Sequence, residues 1–213
     1  MTKLKGILLT EGMHGMISQV EGLAKALDIN YSHHTVETKG FWKVIPPKFT
    51  PISDSVFKKI ECEDVDLIIS CGRKSIIPSL FLKKNSKKKV FNIHIQNPKI
   101  KLDNFDLVVV PEHDNLDGHN VLKTKGAIHY LTSEEIEKDK EYLFSISSKL
   151  RDKNIISLII GGPTQYYDYS DRNIQEIFSK VNYLVKENNL NLVVIPSMRT
   201  PVSYTHLRAH ETG

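Results

Sequence analysis

Apolar positions along this chain gather into short continuous runs, and each run stops abruptly at a polar turn. Four are clear: Leu67-Ile68-Ile69-Ser70 before Cys71-Gly72-Arg73-Lys74, and Val90-Phe91-Asn92-Ile93-His94-Ile95 before Gln96-Asn97-Pro98. Leu107-Val108-Val109-Val110 precedes Pro111-Glu112-His113-Asp114, and Ile155 to Ile160 precedes Gly161-Gly162-Pro163-Thr164. Unalternated runs of this length, with helical stretches between them, predict parallel strands covered on both faces. The expected fold class is therefore α/β. In open sheets of that kind ligands bind outside the carboxyl ends of the strands, so the polar turns mark a candidate crevice.

The remaining elements follow from the same pattern. Gly6 to Thr10 predicts a first strand. A helix follows with Met16, Val20, Leu23, Ala24 and Leu27 on one face. Tyr31 to Val36 reads as a second strand, and the Pro46-Pro47 stretch after it as a long crossing loop. Short helices are expected over Ser53–Ile60 and Ser75–Leu82, the latter with Pro78 in its first turn. A strand at Val121–Thr124 precedes a helix of about fifteen residues opened by a capping box at Thr132-Ser133-Glu134-Glu135. Later come a helix near Arg172–Asn188 and a strand over Leu192–Ile195.

Domain organisation is read from the polar segment Lys149 to Asn154. It suggests one Rossmann-like domain over 1–150 and the beginning of a second over 151–201, a single strand–helix–strand unit too small for its own core. Residues 202–213 match one reading frame of a sequencing-library adapter and are set aside as an expected artefact, with the natural chain continuing past Pro201.

Composition narrows the function classes without choosing among them. The net charge of +4 is mild, and the lysines of the Lys83–Lys89 run lack interleaved aromatic residues, which argues against nucleic acid as a partner. That run reads as a solvated turn or as a weak attraction to anionic headgroups or an acidic substrate. No stretch approaches the roughly 18 to 20 apolar residues of a membrane span. The N-terminus reads as a strand rather than a signal peptide. Cys62 and Cys71 have neither disulfide nor metal spacing, so a cytoplasmic location is expected.

The candidate chemistry sits at the strand ends. Two glycines at Gly161-Gly162 permit close backbone approach to an anion, or make an ordinary strand-to-loop turn. Ser197-Met198-Arg199-Thr200-Pro201 would lie beside them if those strands pair in parallel. There Arg199 offers a two-pronged donor to a diphosphate with the Ser197 and Thr200 hydroxyls; a surface turn is the other reading. His113, flanked by Glu112 and Asp114, suits acid–base work near neutral pH, or the turn is structural, with Asp114 binding backbone amides. Gly12, Gly15 and Gln19 line the first strand-to-helix turn, with His14 a lone loop histidine. Cys71 is either a reactive thiol beside Arg73 or a small buried hydrophobe with Arg73 facing the crevice. No metal-ligand spacing appears.

Several of these residues together carry a resemblance. Glu11-Gly12 to Gly15, Gln19, Gly22-Leu23-Ala24, Cys71-Gly72-Arg73, His94 to Pro98, Phe105 to Asp114, Gly161-Gly162 and Ser197 to Pro201 resemble the family named for a plant mitochondrial-fission factor of ELM type. Two departures are Glu11 where the family usually has aspartate and Met198 where it usually has arginine. Bacterial members look like glycosyltransferases of the GT-B kind, with two facing Rossmann-like domains.

The resemblance implies sugar transfer from a nucleoside-diphosphate sugar to an unknown acceptor, without metal or cofactor. The acceptor would bind near Gly12, Gln19, Arg73, Gln96 and Asp114, with His113 as base. The donor diphosphate would rest on Gly161, Gly162, Ser197, Arg199 and Thr200. An epimerase label sometimes given to such proteins fits poorly, since no Tyr-x-x-x-Lys pair occurs. The alternative is a noncatalytic scaffold that keeps the fold and recruits partners. A peripheral position at the inner membrane is compatible with either reading, and the oligomeric state is left open.

Overall fold

The computed structural model describes residues 3–62, 64–163, 170–197 and 200–201. The chain divides into two compact units, Met1–Thr132 and Ser133–Gly213.

The first unit is a six-stranded, fully parallel sheet. Its strands are β1 (Lys5–Thr10), β2 (Asn30–Thr35), β3 (Leu67–Cys71), β4 (Phe91–Ile95), β5 (Leu107–Pro111) and β6 (Val121–Thr124). They are ordered β2-β1-β3-β4-β5-β6. Helix α1 (His14–Ala26) covers one face and α2 (Ile76–Asn85) the other. Residue alternation explains the two-sided burial. Leu8, Ile69, Ile95 and Val109 pack with Val20 and Ala24 of α1. Ile7, Leu9, Ile68, Val108 and Val110 pack with Ile76, Ile77 and Leu80 of α2. Burying each such side chain contributes on the order of 1.5 to 3 kcal/mol, which is why the runs show no polar alternation.

Several connections cover the sheet without regular α-helices. Ile100, Leu102 and Leu116, from the segments after β4 and β5, pack against the α2 face. After β6 the chain crosses the α1 face, where Ile128 packs against the sheet. Gly22 makes that crossing possible, because a Cβ there would lie 2.6 Å from both the carbonyl carbon and oxygen of His129.

One expected element is absent. Ser53–Ile60 does not form a helix; it holds a single 3-10 turn, Asp54–Val56. Val56 and Phe57 are buried, and the segment pairs back on the chain instead. Thr38 and Phe57 form an antiparallel bridge, Lys39 N donates to Val56 O, and Lys58 N donates to Glu37 O. Backbone groups that a helix would use internally are spent on that bridge. Pro78 falls in the first turn of α2, where its missing donor costs nothing.

The second unit contains α3 (Ser133–Ile146), β7 (Ile155–Ile160), α4 (Asp171–Glu187) and β8 (Asn191–Pro196). The polar segment 149–154 lies inside this unit, before β7. Strands β7 and β8 pair in parallel from Ile155↔Asn191 to Ile160↔Pro196. Ser170 caps α4, its hydroxyl accepting from Asn173 N at 3.3 Å. Ile174 is the buried residue of α4, and Ile159 and Ile195 remain exposed.

Candidate functional site

The order β2-β1-β3 reverses direction between β1 and β3, and at such a switch point the chain connections diverge to opposite faces and leave a crevice. The residues leaving these two strands are tightly organised. Thr10, fully buried, bonds His33 Nε2 at 2.8 Å through its hydroxyl, which also accepts from Gly12 N at 3.1 Å. Burial holds the His33 pKa below its usual value; the nearby Glu21 raises it and His34 lowers it. The Glu11 carboxylate reaches across to the β3 exit, accepting from Lys74 N at 3.0 Å and lying 3.2 Å from Lys74 Nζ.

Gly72 has to be glycine for two reasons. Its φ of +92° lies in the left-handed region, and a Cβ there would come 2.7 Å from Met16 Sδ and 2.9 Å from Glu11 Oε1. Cys71 and Ile95 are paired in register, so the residues that follow them, Gly72 and Gln96, leave adjacent strands at the same level. Gln96 turns through nearly the same angle, φ +85°, although it is not glycine. Its amide is held by Val109 O at 2.8 Å, and the Asn97 side chain accepts from Lys99 N at 3.0 Å. A glutamine kept in that region costs on the order of 1 to 3 kcal/mol, and such strain clusters where ligands are handled.

The expected acceptor-side residues lie along a row rather than in one cluster. From the β1 exit to the β5 exit there are three inter-strand steps, roughly 14 Å at sheet spacing. Gly12 stands at one end and His113 with Asp114 at the other, with Gly72, Arg73 and Gln96 between. Gln19 donates through Nε2 to Gly15 O of its own helix at 3.1 Å. Arg73 donates through Nη2 to Ile45 O at 3.1 Å and Lys43 O at 3.4 Å, bracing the loop after β2. His113 lies in the 3-10 turn Glu112–Asp114, its side chain 78% exposed, with Nε2 3.7 Å from Asp114 Oδ1. That separation is beyond hydrogen-bond length, so Asp114 does not orient the ring through a hydrogen bond.

Beneath the row the sheet is polar where apolar residues are the rule. Ser70 bonds His94 Nδ1 at 2.9 Å, and the His94 ring stacks on Phe105 at 5.0 Å between centroids. Burial pushes the His94 pKa down to about 3. Cys71 is a buried thiol, raised to about 12 by burial and then by Glu11. It is the small hydrophobe of the two readings, not a nucleophile.

In the second unit the parallel pairing of β7 and β8 brings their two turns together. Thr200 Oγ1 lies 2.7 Å from Ile160 O and 2.8 Å from Gly161 O, and accepts from Ser197 N at 2.9 Å. Ser197 N also donates to Ile160 O at 2.9 Å. Gly162 is buried behind this tie. Thr164, Met198 and Arg199 lie outside the described residues, as does 202–213.

Sequence reasoning missed Glu11, Thr10 and His33 as organisers of the switch point. Glu11 had a signal, since it opens the first polar turn, but its partner Lys74 is sixty-three residues away. Thr10 and His33 gave none.

A parallel sheet covered on both faces, with its polar residues at the carboxyl ends of the strands, places the first unit among Rossmann-like α/β proteins. The chain belongs to the family described as mitochondrial fission ELM1, whose sequence model matches residues 14–212. That match runs into the adapter-like stretch as well. Within the chain, 48 residues are 35% identical to the mitochondrial fission protein ELM1 of Arabidopsis thaliana, which amounts to 22% of this chain and 11% of that protein. The match thus spans about a tenth of the curated relative. No solved structure is matched. Among the described residues no helix is long and apolar enough to cross a membrane.

Proposed function

We propose that the complete protein is a glycosyltransferase of the GT-B kind, moving a sugar from a nucleoside-diphosphate donor to an acceptor bound in the first unit. The observation that carries this reading is the row of strand exits running from the switch point, in which Gly72 and Gln96 turn through nearly the same positive φ at one level of the sheet. A residue other than glycine held at positive φ, as Gln96 is, belongs to the kind of backbone that clusters at ligand sites, and the carboxyl ends of the strands are where such sheets bind ligands. The donor diphosphate rests on Gly161, Gly162, Ser197, Arg199 and Thr200 of the second unit, with no metal invoked. In the transfer step an acceptor hydroxyl oxygen forms a bond to the anomeric carbon as the bond from that carbon to the diphosphate oxygen breaks. The hydroxyl proton passes to His113 Nε2, and the nucleoside diphosphate leaves as an anion.

A second reading has its own observation. Gln19, Arg73 and Thr200 each spend polar groups on the chain's own carbonyls, which suits a scaffold that retains the fold for partner recruitment. The name of the plant relative, a mitochondrial fission protein, points the same way.

Calorimetric titration of the complete protein with a panel of nucleoside-diphosphate sugars separates the two. Saturable binding with release of nucleoside diphosphate on adding acceptor supports transfer, and no binding across the panel supports the scaffold. If transfer occurs, His113→Ala lowers it while changing stability by less than about 0.5 kcal/mol, as expected of an exposed side chain. Val109→Ala, in the core, costs roughly 1 to 4 kcal/mol. A stability loss for His113→Ala that matches Val109→Ala would assign His113 to the framework.

A further inference from the structure

The loop between β2 and β3 leaves four large apolar side chains in water within twelve residues. Phe41, Val44, Phe49 and Ile52 are 65%, 75%, 71% and 42% exposed. The loop is nonetheless firmly built. Arg73 braces it from the β3 exit, Thr50 Oγ1 donates to Pro46 O at 2.9 Å, and Lys39 Nζ donates to Asp54 O at 3.2 Å. Trp42 packs on the core with its ring centroid 4.3 Å from that of Phe41. The exposure is thus imposed by an ordered framework, and so many exposed apolar side chains in one short, braced loop suit an interaction surface.

Lysines accompany these side chains, with Lys48 Nζ 5.7 Å from the Phe49 ring centroid. Lys39, Lys43 and Lys48 lie in the loop, and Lys99 and Lys101 in the segment after β4. Between the two segments is a groove of about 560 Å³, lined by Ile52, Ile77 and Ile100 together with Lys48, Lys99 and Lys101. Among the described residues none of the five lysines forms an ion pair, although Glu37 lies close enough to Lys43 to feel its charge. No carboxylate among the described residues lines the groove, although Glu37, Asp54, Glu61, Asp64 and Asp66 lie in the first segment and Asp103 and Asp106 in the second, Asp103 facing His119 at 3.9 Å. By contrast, the lysine run singled out in the sequence is partly neutralised, with Lys83 on Asp106 and Lys88 on Asp66, each at 2.7 Å.

We propose that this face docks the protein peripherally on an anionic lipid bilayer. Phe41, Val44 and Phe49 enter the boundary between headgroups and acyl chains, while the lysines meet lipid phosphates. Charge selects this occupant. A second copy would bring five lysines against five, whereas an anionic bilayer offers the opposite sign and accepts protruding side chains without needing matched cavities. Both segments follow carboxyl ends of strands, so the lipid surface lies at the end of the sheet that carries the row of strand exits. The proposal does not depend on sugar transfer.

Vesicle flotation tests it, using phosphatidylcholine alone and phosphatidylcholine mixed with phosphatidylglycerol. The chain should float with the mixed vesicles and remain behind with the neutral ones. Each lysine near an anionic surface contributes roughly a fivefold factor in partitioning. Lys48→Gln with Lys99→Gln and Lys101→Gln should therefore lower partitioning at least roughly tenfold, as should Phe41→Ser with Phe49→Ser. Lys87→Gln with Lys89→Gln should leave it within about twofold. All these side chains are exposed, and unchanged circular dichroism and melting confirm that the variants fold. Equal partitioning to both vesicle types, or variants that bind like the parent, would overturn the proposal. Self-association abolished by Phe41→Ser with Phe49→Ser, in the absence of vesicle binding, would also overturn it and assign the face to a second copy.

Discussion

Glu11 and Lys74 are tied twice, once through the lysine's backbone amide at 3.0 Å and once through its ammonium at 3.2 Å. That pair joins the exits of β1 and β3 across the switch point. The amide belongs to the 3-10 turn Arg73–Ser75 that leads into α2, so the carboxylate occupies a place where a helix entry would otherwise attract an anion. A phosphate is thereby disfavoured at the entry to α2 itself. Under the proposed sugar transfer, the donor diphosphate is therefore expected in the second unit.

Removing the carboxylate should cost more than removing the ammonium. Glu11→Ala leaves the Lys74 amide without its acceptor beside buried Gly72 packing, and a loss of about 1 to 2 kcal/mol is expected. Lys74→Ala removes only a partly exposed charge, for which solvent screening leaves about 0.5 kcal/mol. Urea titration of both variants checks the order, and a larger loss for Lys74→Ala would mean that the ion pair, not the amide contact, holds the two exits together.

Gly22→Ala should destabilise, against helix propensity. Alanine is the better helix former by roughly 1 kcal/mol, which taken alone predicts a gain. The new Cβ, however, would sit 2.6 Å from the His129 carbonyl, a backbone group that can move only if the whole crossing over α1 moves. Overpacking of this kind costs typically 1 to 3 kcal/mol, so a net loss is expected. A raised melting temperature would show that the 128–130 segment lifts off α1 without penalty.

What the sequence disclosed follows from what is local. The strands were legible because continuous apolar runs have one economical use, and Val108, Val109 and Val110 lie buried as the run implied. The parallel neighbours β7 and β8 could be inferred from a single strand–helix–strand unit, and with them the meeting of Thr200 with Gly161. The helix expected over Ser53–Ile60 failed because its competitor, the bridge from Phe57 to Thr38, is a tertiary contact with no periodic trace. Arg73 was legible as a cation at a strand end. Its engagement with the carbonyls of Lys43 and Ile45 was not, because those partners lie about thirty residues upstream in a loop without pattern.

The two thiols should differ sharply in reactivity. Cys71 is buried with its pKa pushed up to about 12, whereas Cys62 is exposed. Since the thiolate is the reactive form, a disulfide reagent at neutral pH should titrate one thiol in the native chain and two in urea. Cys62→Ser should abolish the native reaction. Rapid labelling of Cys71 in the folded chain would show that the β3 exit opens, and would return Cys71 to the list of chemically competent groups.

Acid should weaken the first unit through His94. Burial lowers its pKa to about 3 in the folded chain, against about 6.5 when unfolded. Between those values the unfolded chain binds a proton that the folded chain refuses. The stability contributed by the neutral ring is therefore fully present above about pH 6.5 and is lost as the pH falls toward 3, with a limiting slope of about 1.4 kcal/mol per unit. His33, lowered in the same direction by burial, adds a contribution of the same sign. His94→Gln removes the first contribution and leaves the second. The variant should be less stable at neutral pH, because the stack on Phe105 is gone, yet it should lose less stability on acidification. Urea midpoints measured for both proteins from about pH 6.5 to about pH 4 give the comparison. Parallel curves would mean that the folded chain accommodates a proton on His94, and that the Ser70–His94 pair is not sealed from solvent.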